Sequence, residues 1–384
     1  MIVAALCAGA AALVAFLAFQ CLLGAKAQGS RPAPERREGP DFIVLMPAHD
    51  EARGIAAAVA SVMTQLRDSD RLLVVADNCN DDTAHIALAS GADVVERCDP
   101  SRRGKGHALE FGRTFLRGKP GDVVIIVDAD CEAEPGALAR LAATAARRDA
   151  VVQGAYLLAP PGEASARVRI SCFAFMIKNR VRQRALQRLT GSALLQGSGM
   201  AFPRRIFDRV EWRAASLVED LDMGLDLLLS GERVIFEDDA LFVSAASSDK
   251  GMAGQRRRWE HGMLNSMGRY VPALLSRALR GRWRLAVVAL DLMIPPTVLL
   301  LASALLLLAA GARMSGANIP VLFLTLALAL LGVGLARAWR AEGRDILPLR
   351  SVARIPAYML WKLRIAAQFL TRRERHWIRT EREP

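Results

Sequence analysis

The stretch Val123-Val124-Ile125-Ile126-Val127-Asp128-Ala129-Asp130 decides the fold. Its five consecutive β-branched residues suit a strand that is covered on both faces, as in a parallel sheet. The strand runs directly into two carboxylates, and ligands of open α/β sheets bind at the carboxyl ends of such strands. Carboxylate oxygens suit Mg²⁺ or Mn²⁺ held together with phosphates. The stretch therefore predicts a metal and phosphate site at Asp128 and Asp130, with a solvated turn as the alternative.

Short apolar runs alternate with helical periods on both sides of this stretch, from Asp41 to about Phe242. Besides the Val123 strand, the predicted strands are Phe42–Pro47, Leu72–Ala76, Asp93–Glu96 and Val151–Leu157. The predicted helices are Ile55–Arg67, Thr83–Ser90, His107–Leu116 and Pro135–Arg148. This succession predicts a Rossmann-like α/β domain. No Gly-x-Gly-x-x-Gly follows the first strand, so a nicotinamide or flavin cofactor is disfavoured.

The composition favours a membrane protein. The chain has 384 residues, is 52% hydrophobic and carries a formal net charge of +12. Its Arg and Lys residues crowd beside apolar runs and aromatics make up only 6%, which favours an anionic membrane surface over nucleic acid as the partner. The six cysteines show no paired spacing, so neither a zinc site nor a disulfide framework is predicted.

Three uncharged segments are long enough to cross a bilayer: Ile2–Leu23, Leu292–Ala312 and Met314–Ala336. At about 1.5 Å per residue, each reaches across a hydrocarbon core of about 30 Å. Basic residues follow the first segment and lie on the outer flanks of the other two, so the positive-inside rule places the α/β domain and the C-terminus in the cytoplasm. The segments Met263–Arg284 and Arg350–Arg379 mix aromatic and apolar residues with Arg, which is typical of interfacial helices.

These patterns predict six consecutive regions. They are a transmembrane helix (1–24), a linker (25–40), the cytoplasmic α/β domain (41–262), an interfacial helix (263–284), a transmembrane helical hairpin (285–338) and a basic interfacial or cytoplasmic segment (339–384). Within the α/β domain, Ala164–Leu189 is predicted to be a long basic helix. Its sequence leaves open whether it lies on the membrane, over the site or in solvent.

Polar side chains follow other predicted strands or open predicted helices. Asp77 ends the second strand, where its carboxylate can accept the N3–H of a uracil ring. Lys105 lies in a small-residue loop at a helix start and can approach a diphosphate. The two glycines of Gln196–Phe202 permit either close backbone approach to a ligand or a tight turn. Asp220, after Glu219 at the start of a helix, is predicted to be a general base or a capping carboxylate.

The run Gln255-Arg256-Arg257-Arg258-Trp259 precedes the predicted hairpin. On a helix, Gln255, Arg258 and Trp259 share one face. Arg258 can neutralise a leaving diphosphate and Trp259 can stack on a sugar ring, whereas the alternative is a basic juxtamembrane helix with an interfacial Trp. His261 is either a further metal ligand or structural.

Taken together, these residues resemble the family 2 glycosyltransferases, and among them the membrane-embedded branch of cellulose, chitin and hyaluronan synthases. The resemblance runs from about Phe42 to Trp259 and rests on the order Asp77, Asp128-Ala129-Asp130, Glu219-Asp220 and Gln255-x-x-Arg258-Trp259. It implies a GT-A fold in a multi-pass protein of a bacterial-type cytoplasmic membrane. It also implies inverting transfer from a nucleotide sugar, usually a UDP-sugar, to a glycan or lipid-linked acceptor.

The resemblance also assigns roles to single residues. On the donor side it implies that Asp77 contacts uracil, that Asp128 and Asp130 bind the diphosphate and the metal, and that Lys105 matches a basic position of the donor loop. On the acceptor side it implies that Asp220 is the catalytic base and that Glu219 faces the acceptor. It also implies that the diphosphate and the acceptor sugar are held by Gln255, Arg258 and Trp259. Synthases of this branch generally have more membrane helices than three. We therefore expect a membrane-bound acceptor, a homo-oligomer or an export partner.

Two other functions compete with this interpretation. A nucleotidyltransferase shares the Rossmann-like core, but it usually carries a Gly-rich, Arg-bearing loop after the first strand, where this chain has Pro47-Ala48-His49-Asp50-Glu51. The chain can also be an inactive scaffold subunit, and its intact set of carboxylates argues against that.

Overall fold

The computed structural model describes residues 2–26, 39–212, 216–247, 249–313 and 318–371. The chain divides into two units. The sheet unit comprises Ser30–Ala159 and Ser192–Ala245, and the helical unit comprises Met1–Gly29, Pro160–Gly191 and Ala246–Pro384. Most of the predicted linker, the start of the predicted span at Met314 and the end of the basic C-terminal segment lie outside the described residues.

The strands are β1 Phe42–Ala48, β2 Arg71–Asp77, β3 Asp93–Arg97, β4 Val123–Ile126, β5 Cys131–Ala133, β6 Val151–Ala159, β7 Met200–Pro203 and β8 Val234–Ala245. The helices are α1 Ile2–Gly24, α2 Ile55–Met63, α3 Thr83–Ala89, α4 Lys105–Phe115, α5 Ala137–Arg148, α6 Ala166–Met176, α7 Arg182–Thr190, α8 Arg204–Phe207, α9 Glu219–Ser230, α10 Asp249–Leu279, α11 Arg284–Leu292, α12 Thr297–Gly311, α13 Asn318–Ala338, α14 Leu349–Val352 and α15 Ile355–Thr371. Two π-helical turns, Ile177–Val181 and Trp339–Gly343, follow α6 and α13.

The described strands form one sheet in the order β3-β2-β1-β4-β7-β6-β8-β5. The first four strands are parallel, with Val44 of β1 opposite both Leu72 of β2 and Ile125 of β4. Every residue of β1 and β4 is buried, as the β-branched run around Val123 predicts. Because parallel strands end at the same edge, the residues that follow β1, β2 and β4 lie side by side.

The other half of the sheet is mixed. β7 runs antiparallel to β4, so that Met200 at the start of β7 pairs with Ile126 at the end of β4. The residues before β7 therefore lie beside those after β4. The sequence predicts the parallel half and β6, but it gives no strand for β5, β7 or β8. These three strands contain polar residues or are short, and their pairing joins distant parts of the chain.

Among the described residues of the helical unit, α1 and the segment Asn318–Gly343 are each long and apolar enough to cross a membrane. The third predicted span, Leu292–Ala312, is not one helix. α11 and α12 meet at an angle of 81° across a short break that contains Pro295 and Pro296. Proline lacks an N–H and disfavours helix in the residue before it, which explains the break. The pair is a broken span or a re-entrant loop, so the count is two spans or three.

Helix α10 differs from the predicted division of the chain. It runs unbroken from Asp249 to Leu279, so the boundary placed between residues 262 and 263 falls inside a helix. The Gln255–Trp259 run and the predicted interfacial segment therefore belong to one element of the helical unit. Its glycines at 262 and 268 stay within the helix, because a single glycine weakens a helix without ending it.

The basic segment that the sequence predicts over Ala164–Leu189 is helical, formed by α6, a π-helical turn and α7. Its arginines at 180, 182 and 184 have side chains that are less than a tenth exposed. Arg182 pairs with Asp291 at 2.9 Å, and both Arg180 and Arg184 contact Glu342. This face is therefore not solvated, and its charges are compensated inside the helical unit.

Candidate active site

The site in the sheet unit is built from the residues that follow β4. Asp128 and Asp130 come directly after this buried strand, in the turn that leads into β5. The N–H of Asp128 donates to the Ser198 hydroxyl at 3.1 Å. The antiparallel pairing of β4 with β7 thus sets the loop before β7 against the predicted metal site.

Lys105 is the first residue of α4, and its side chain reaches this loop. Its ammonium group pairs with the Asp128 carboxylate and donates to the Gly197 carbonyl at 2.7 Å. The helix holds Lys105 there because α4 packs on β1 and β2 through Gly112, where an added Cβ would lie 2.6 Å from Leu45 Cδ1.

Gly197 is the point at which the predicted residues meet. Its φ is +99°, in the left-handed region that favours glycine. A Cβ added to Gly197 would lie 3.2 Å from Asp220 Oδ2, 3.6 Å from Lys105 Nζ and 3.8 Å from Asp128 Oδ2. Three side chains that the sequence singled out separately therefore surround one glycine. The positive φ of Gly197 agrees with the tight turn, and the close approach of its loop to a ligand stays a prediction.

The charge at this site is mainly negative. Burial lowers the pKa of Lys105, but the carboxylates of Asp128, Glu219 and Asp220 outweigh it, and the pKa of Lys105 is raised. Burial also raises the pKa of Asp128; repulsion from Asp130 and Asp220 adds to this, and attraction to Lys105 opposes it. Lys105 thus lies in the field of Asp128, Glu219 and Asp220, and Asp130 acts on Asp128. Carboxylate oxygens of this kind suit a divalent cation that prefers hard oxygen ligands.

Asp77 is the last residue of β2, which pairs with β1, and it lies at the same edge of the sheet as Asp128. Its carboxylate accepts from Arg97 Nη1 at 2.5 Å and from Asn78 Nδ2 at 3.0 Å. Sequence reasoning missed Arg97. Asp77 and Arg97 are register partners in the parallel pair of β2 and β3. Their positions at the ends of two predicted strands are the sequence feature from which this contact could have been predicted.

The remaining predicted residues lie in the helical unit. Gln255, Arg258 and Trp259 are on α10, where helical spacing places them on one face as predicted. The Gln255 side chain accepts from the Ser247 hydroxyl at 3.4 Å, and the Trp259 ring lies 5.6 Å from that of Phe175. His261 is 1% exposed on the same helix, in a different unit from Asp128 and Asp130.

A family model described as "Glycosyltransferase like family 2" matches residues 40–262, which is more than half of the chain. The chain belongs to this family. The match covers the predicted α/β domain and includes both carboxylates after β4, Asp220 and the Gln255–Trp259 run. The predicted resemblance is therefore confirmed at the level of the family, while the branch of cellulose, chitin and hyaluronan synthases stays a prediction.

Two curated relatives of this family 2 chain match parts of it. The "Low-salt glycan biosynthesis hexosyltransferase Agl6" of Haloferax volcanii is 36% identical over 94 residues, which are 24% of this chain and 21% of that protein. The glucosyl-3-phosphoglycerate synthase of Mycolicibacterium paratuberculosis is 37% identical over 101 residues, which are 24% of this chain and 30% of that protein. The aligned stretches thus span less than a third of either relative.

A solved structure matches nearly the whole chain. The mannosyltransferase PcManGT from Pyrobaculum calidifontis, in complex with GDP-Man and Mn²⁺, has a TM-score of 0.58 and 21% sequence identity to it. The match covers 97% of this chain and 99% of that one. This likeness shows the fold, a mixed α/β arrangement of the GT-A type.

Proposed function

We propose that this chain is an inverting membrane glycosyltransferase that moves a sugar from a UDP-sugar to a hydroxyl of a growing polysaccharide or a lipid-linked acceptor. The observation that carries the proposal is the convergence of Asp220, Lys105 and Asp128 around Gly197. One base opposite one cation is what a single displacement requires, since the acceptor must lose a proton while the leaving diphosphate gains charge.

Asp220 is the proposed base. Its carboxylate accepts the proton of the acceptor hydroxyl while that oxygen bonds to the anomeric carbon of the donor sugar. The bond from that carbon to the diphosphate oxygen breaks, and the electron pair stays on the diphosphate. Lys105 stabilises this charge, and its raised pKa keeps it protonated at neutral pH.

Asp128 and Asp130 are the residues that would hold a divalent ion. The repulsion between Asp128 and Asp130 fits such an ion, which would relieve it, and their carboxylate oxygens suit Mg²⁺ or Mn²⁺. When bound, the ion neutralises the donor diphosphate. The proposed role agrees with the Mn²⁺ in the PcManGT complex.

Asp77 is the proposed contact to the base of the nucleotide. Arg97 and Asn78 both donate to Oδ1, so among the described residues Oδ2 has no hydrogen-bond donor and can accept from an N–H of the base. Uracil offers such a donor at N3, which supports a UDP-sugar. Guanine also carries N–H donors, and PcManGT is in complex with GDP-Man. A direct comparison of UDP- and GDP-sugars therefore tests the base assignment.

The acceptor side is proposed from the helical unit. α1 and the segment Asn318–Gly343 favour a membrane-associated enzyme. The basic flanks of the predicted spans are the reason for proposing a site on the cytoplasmic side of an inner membrane. Gln255, Arg258 and Trp259 are proposed to hold the diphosphate and the acceptor sugar, and Glu219 is proposed to face the acceptor. A homo-oligomer or an export partner is part of this proposal for a polymeric product.

The test is a donor screen with purified full-length protein, Mn²⁺, a panel of UDP- and GDP-sugars, and membrane lipids as acceptors, read by nucleoside diphosphate release and product mass spectrometry. Asp220→Asn should reduce sugar transfer by about a hundredfold or more without changing the melting temperature much. The matched control is Asp226→Asn on the same helix, which should keep normal turnover. Normal turnover in Asp220→Asn would contradict the base assignment, and release of pyrophosphate would indicate a nucleotidyltransferase instead.

A further inference from the structure

The helical unit contains a cationic cluster of which the proposed function uses only Trp259. It consists of Arg256, Lys178 and Lys362 with the rings of Phe175 and Trp259, and it is named the Arg256 cluster here. All five residues lie within the helical unit. Sequence reasoning gave Arg256 no role.

Arg256 is held by contacts that leave its charge uncompensated. Its Nη2 donates to the Ser171 carbonyl at 3.0 Å, and its Cζ lies 5.2 Å from the ring centroid of Trp259 and 5.7 Å from that of Phe175. Its Nε is buried without a hydrogen-bond partner. No carboxylate among the described side chains pairs with it. A half-buried guanidinium with a buried Nε in this state favours an anionic ligand.

The other two cations add to the same excess of charge. Lys362 contacts the carboxylate of Glu260. Burial, together with the positive charges of Arg256 and Lys178, lowers the pKa of Lys362 to about 7 despite that contact. Glu260 thus contacts Lys362, which also lies in the positive field of Arg256 and Lys178. An anion bound beside Arg256 would compensate the charge of Arg256 and keep Lys362 protonated.

The surroundings indicate which kind of anion is suitable. A phosphate oxygen matches the fork of the guanidinium and the ammonium donors. The aromatic faces of Phe175 and Trp259 offer an apolar contact beside the charge. The same unit carries the helices that are long and apolar enough to cross a membrane, where phosphate groups are borne on hydrocarbon chains.

We propose that the Arg256 cluster binds the phosphate group of a lipid. This deepens the proposed function and rests on it, since a lipid-linked acceptor carries such a group next to the sugar that is extended. The phosphate has two possible sources: the acceptor itself, or a phospholipid headgroup of the bilayer. The chemistry at Arg256 is the same for both.

The experiment measures binding to the purified full chain in neutral detergent by thermophoresis. The probes are farnesyl phosphate, farnesol, dihexanoyl phosphatidic acid and inorganic phosphate. We expect farnesyl phosphate to bind about tenfold or more tightly than farnesol. Preference for farnesyl phosphate over phosphatidic acid would support the acceptor, and equal affinity would support a bilayer headgroup. Inorganic phosphate binding as tightly as farnesyl phosphate would overturn a lipid ligand.

Substitutions assign the binding to the cluster. Arg256→Gln should weaken farnesyl phosphate binding about tenfold, and Arg256→Lys should restore part of it. Lys178 is exposed, so Lys178→Gln should fold normally and weaken binding about threefold. The matched control is Arg277→Gln, an exposed position on the same helix, which should leave the affinity unchanged. Equal affinity of the wild type, Arg256→Gln and Lys178→Gln would overturn the proposal.

This outcome is separable from that of the proposed function. Loss of lipid phosphate binding in Arg256→Gln, in a protein that releases no nucleoside diphosphate from any sugar nucleotide, would support the phosphate site and contradict the transferase. Normal transfer to a lipid acceptor by Arg256→Gln, with unchanged KM for that acceptor, would contradict the phosphate site alone.

Discussion

Asp130 illustrates at the scale of one residue how charge excess becomes a ligand requirement. Its carboxylate repels that of Asp128, whereas Lys105 attracts the carboxylates of Asp128, Glu219 and Asp220. The sequence correctly predicted that the two aspartates follow the Val123 strand. It did not show that the negative charges of Glu219 and Asp220 act on the same groups.

We expect Mn²⁺ to raise the melting temperature of the wild type and to have no such effect on Asp130→Asn. At about a hundredfold excess over its dissociation constant, a ligand adds about 2.7 kcal/mol to the free energy of unfolding. Without metal, the substitution removes the repulsion between Asp130 and Asp128, and the melting temperature of the variant is the metal-free reference. The control is Asp68→Asn at an exposed position, which should keep the Mn²⁺ effect. Scanning fluorimetry with and without Mn²⁺ measures both effects.

His107 gives a prediction on pH. Burial and the positive charges of Arg97 and Arg102 lower its pKa from 6.5, while Asp77 and Asp99 act in the opposite direction. Because the unfolded chain then binds the proton more readily, stability falls as the pH drops from 6.5 through the lowered pKa of the folded state. His107→Gln should therefore lose less stability than the wild type between about pH 7.5 and about pH 5. Parallel pH curves of the melting temperature in the two proteins would contradict this assignment.

At the scale of elements, helix α4 sets the position of Lys105 by packing on the parallel strands. The contact depends on Gly112, where an added Cβ would meet Leu45 at 2.6 Å and Val75 at 3.1 Å. The helix was predicted from its periodicity, two residues late at its start. The close approach to the sheet is a property of the packed structure.

Gly112→Ala should destabilise the chain. The substitution gains about 1 kcal/mol of helix propensity, but overpacking against the strand costs about 1–3 kcal/mol. Sugar transfer should also fall, because a displaced α4 moves Lys105. The matched control is Gly268→Ala inside α10, where a Cβ meets nothing within 4 Å and should stabilise slightly. Chemical unfolding of both variants compares the signs, and a stabilised Gly112→Ala would contradict the packing argument.

At the scale of the whole molecule, buried ion pairs hold the helical unit together. Glu342 lies in the second π-helical turn and contacts two arginines. Arg180 lies in the first π-helical turn, and Arg184 lies in α7, which follows that turn. Arg182 and Gln20 share the Asp291 carboxylate, which ties α1, α7 and α11 to one point. Small residues allow close packing beside these pairs, since a Cβ on Gly334 would lie 2.9 Å from Cys21 Cβ.

Glu342→Gln should cost about 3–5 kcal/mol of unfolding free energy, because it leaves two buried guanidinium groups without their carboxylate. Unfolding in detergent, followed by circular dichroism, measures this loss. The matched control is Asp345→Asn at an exposed position nearby, which should change stability by about 0.5 kcal/mol or less. A melting temperature of Glu342→Gln equal to that of the control would contradict the role of this pair.

The sequence by itself determined the parallel half of the sheet and the order of its functional carboxylates. Runs such as Val123–Val127 are buried wherever they pair, and a strand that ends in two aspartates presents them at the sheet edge. These are local properties of the chain. The same holds for α1, whose length and composition alone make it able to cross a membrane. The break at Pro295 and Pro296 also has a local cause, although the apolar sequence predicted one continuous span there.

Only the tertiary structure decided which distant groups meet. Lys105 and Gly197 are 92 positions apart, and the pairing of β4 with β7 brings them together. Arg184 and Glu342 are 158 positions apart in the sequence. Their pairing is part of the burial of the basic segment Ala164–Leu189, whose location the sequence left open. Periodicity reports how each segment is buried, whereas the partner of a charge depends on strand order and helix packing. The chemistry of both sites is therefore read from the folded chain.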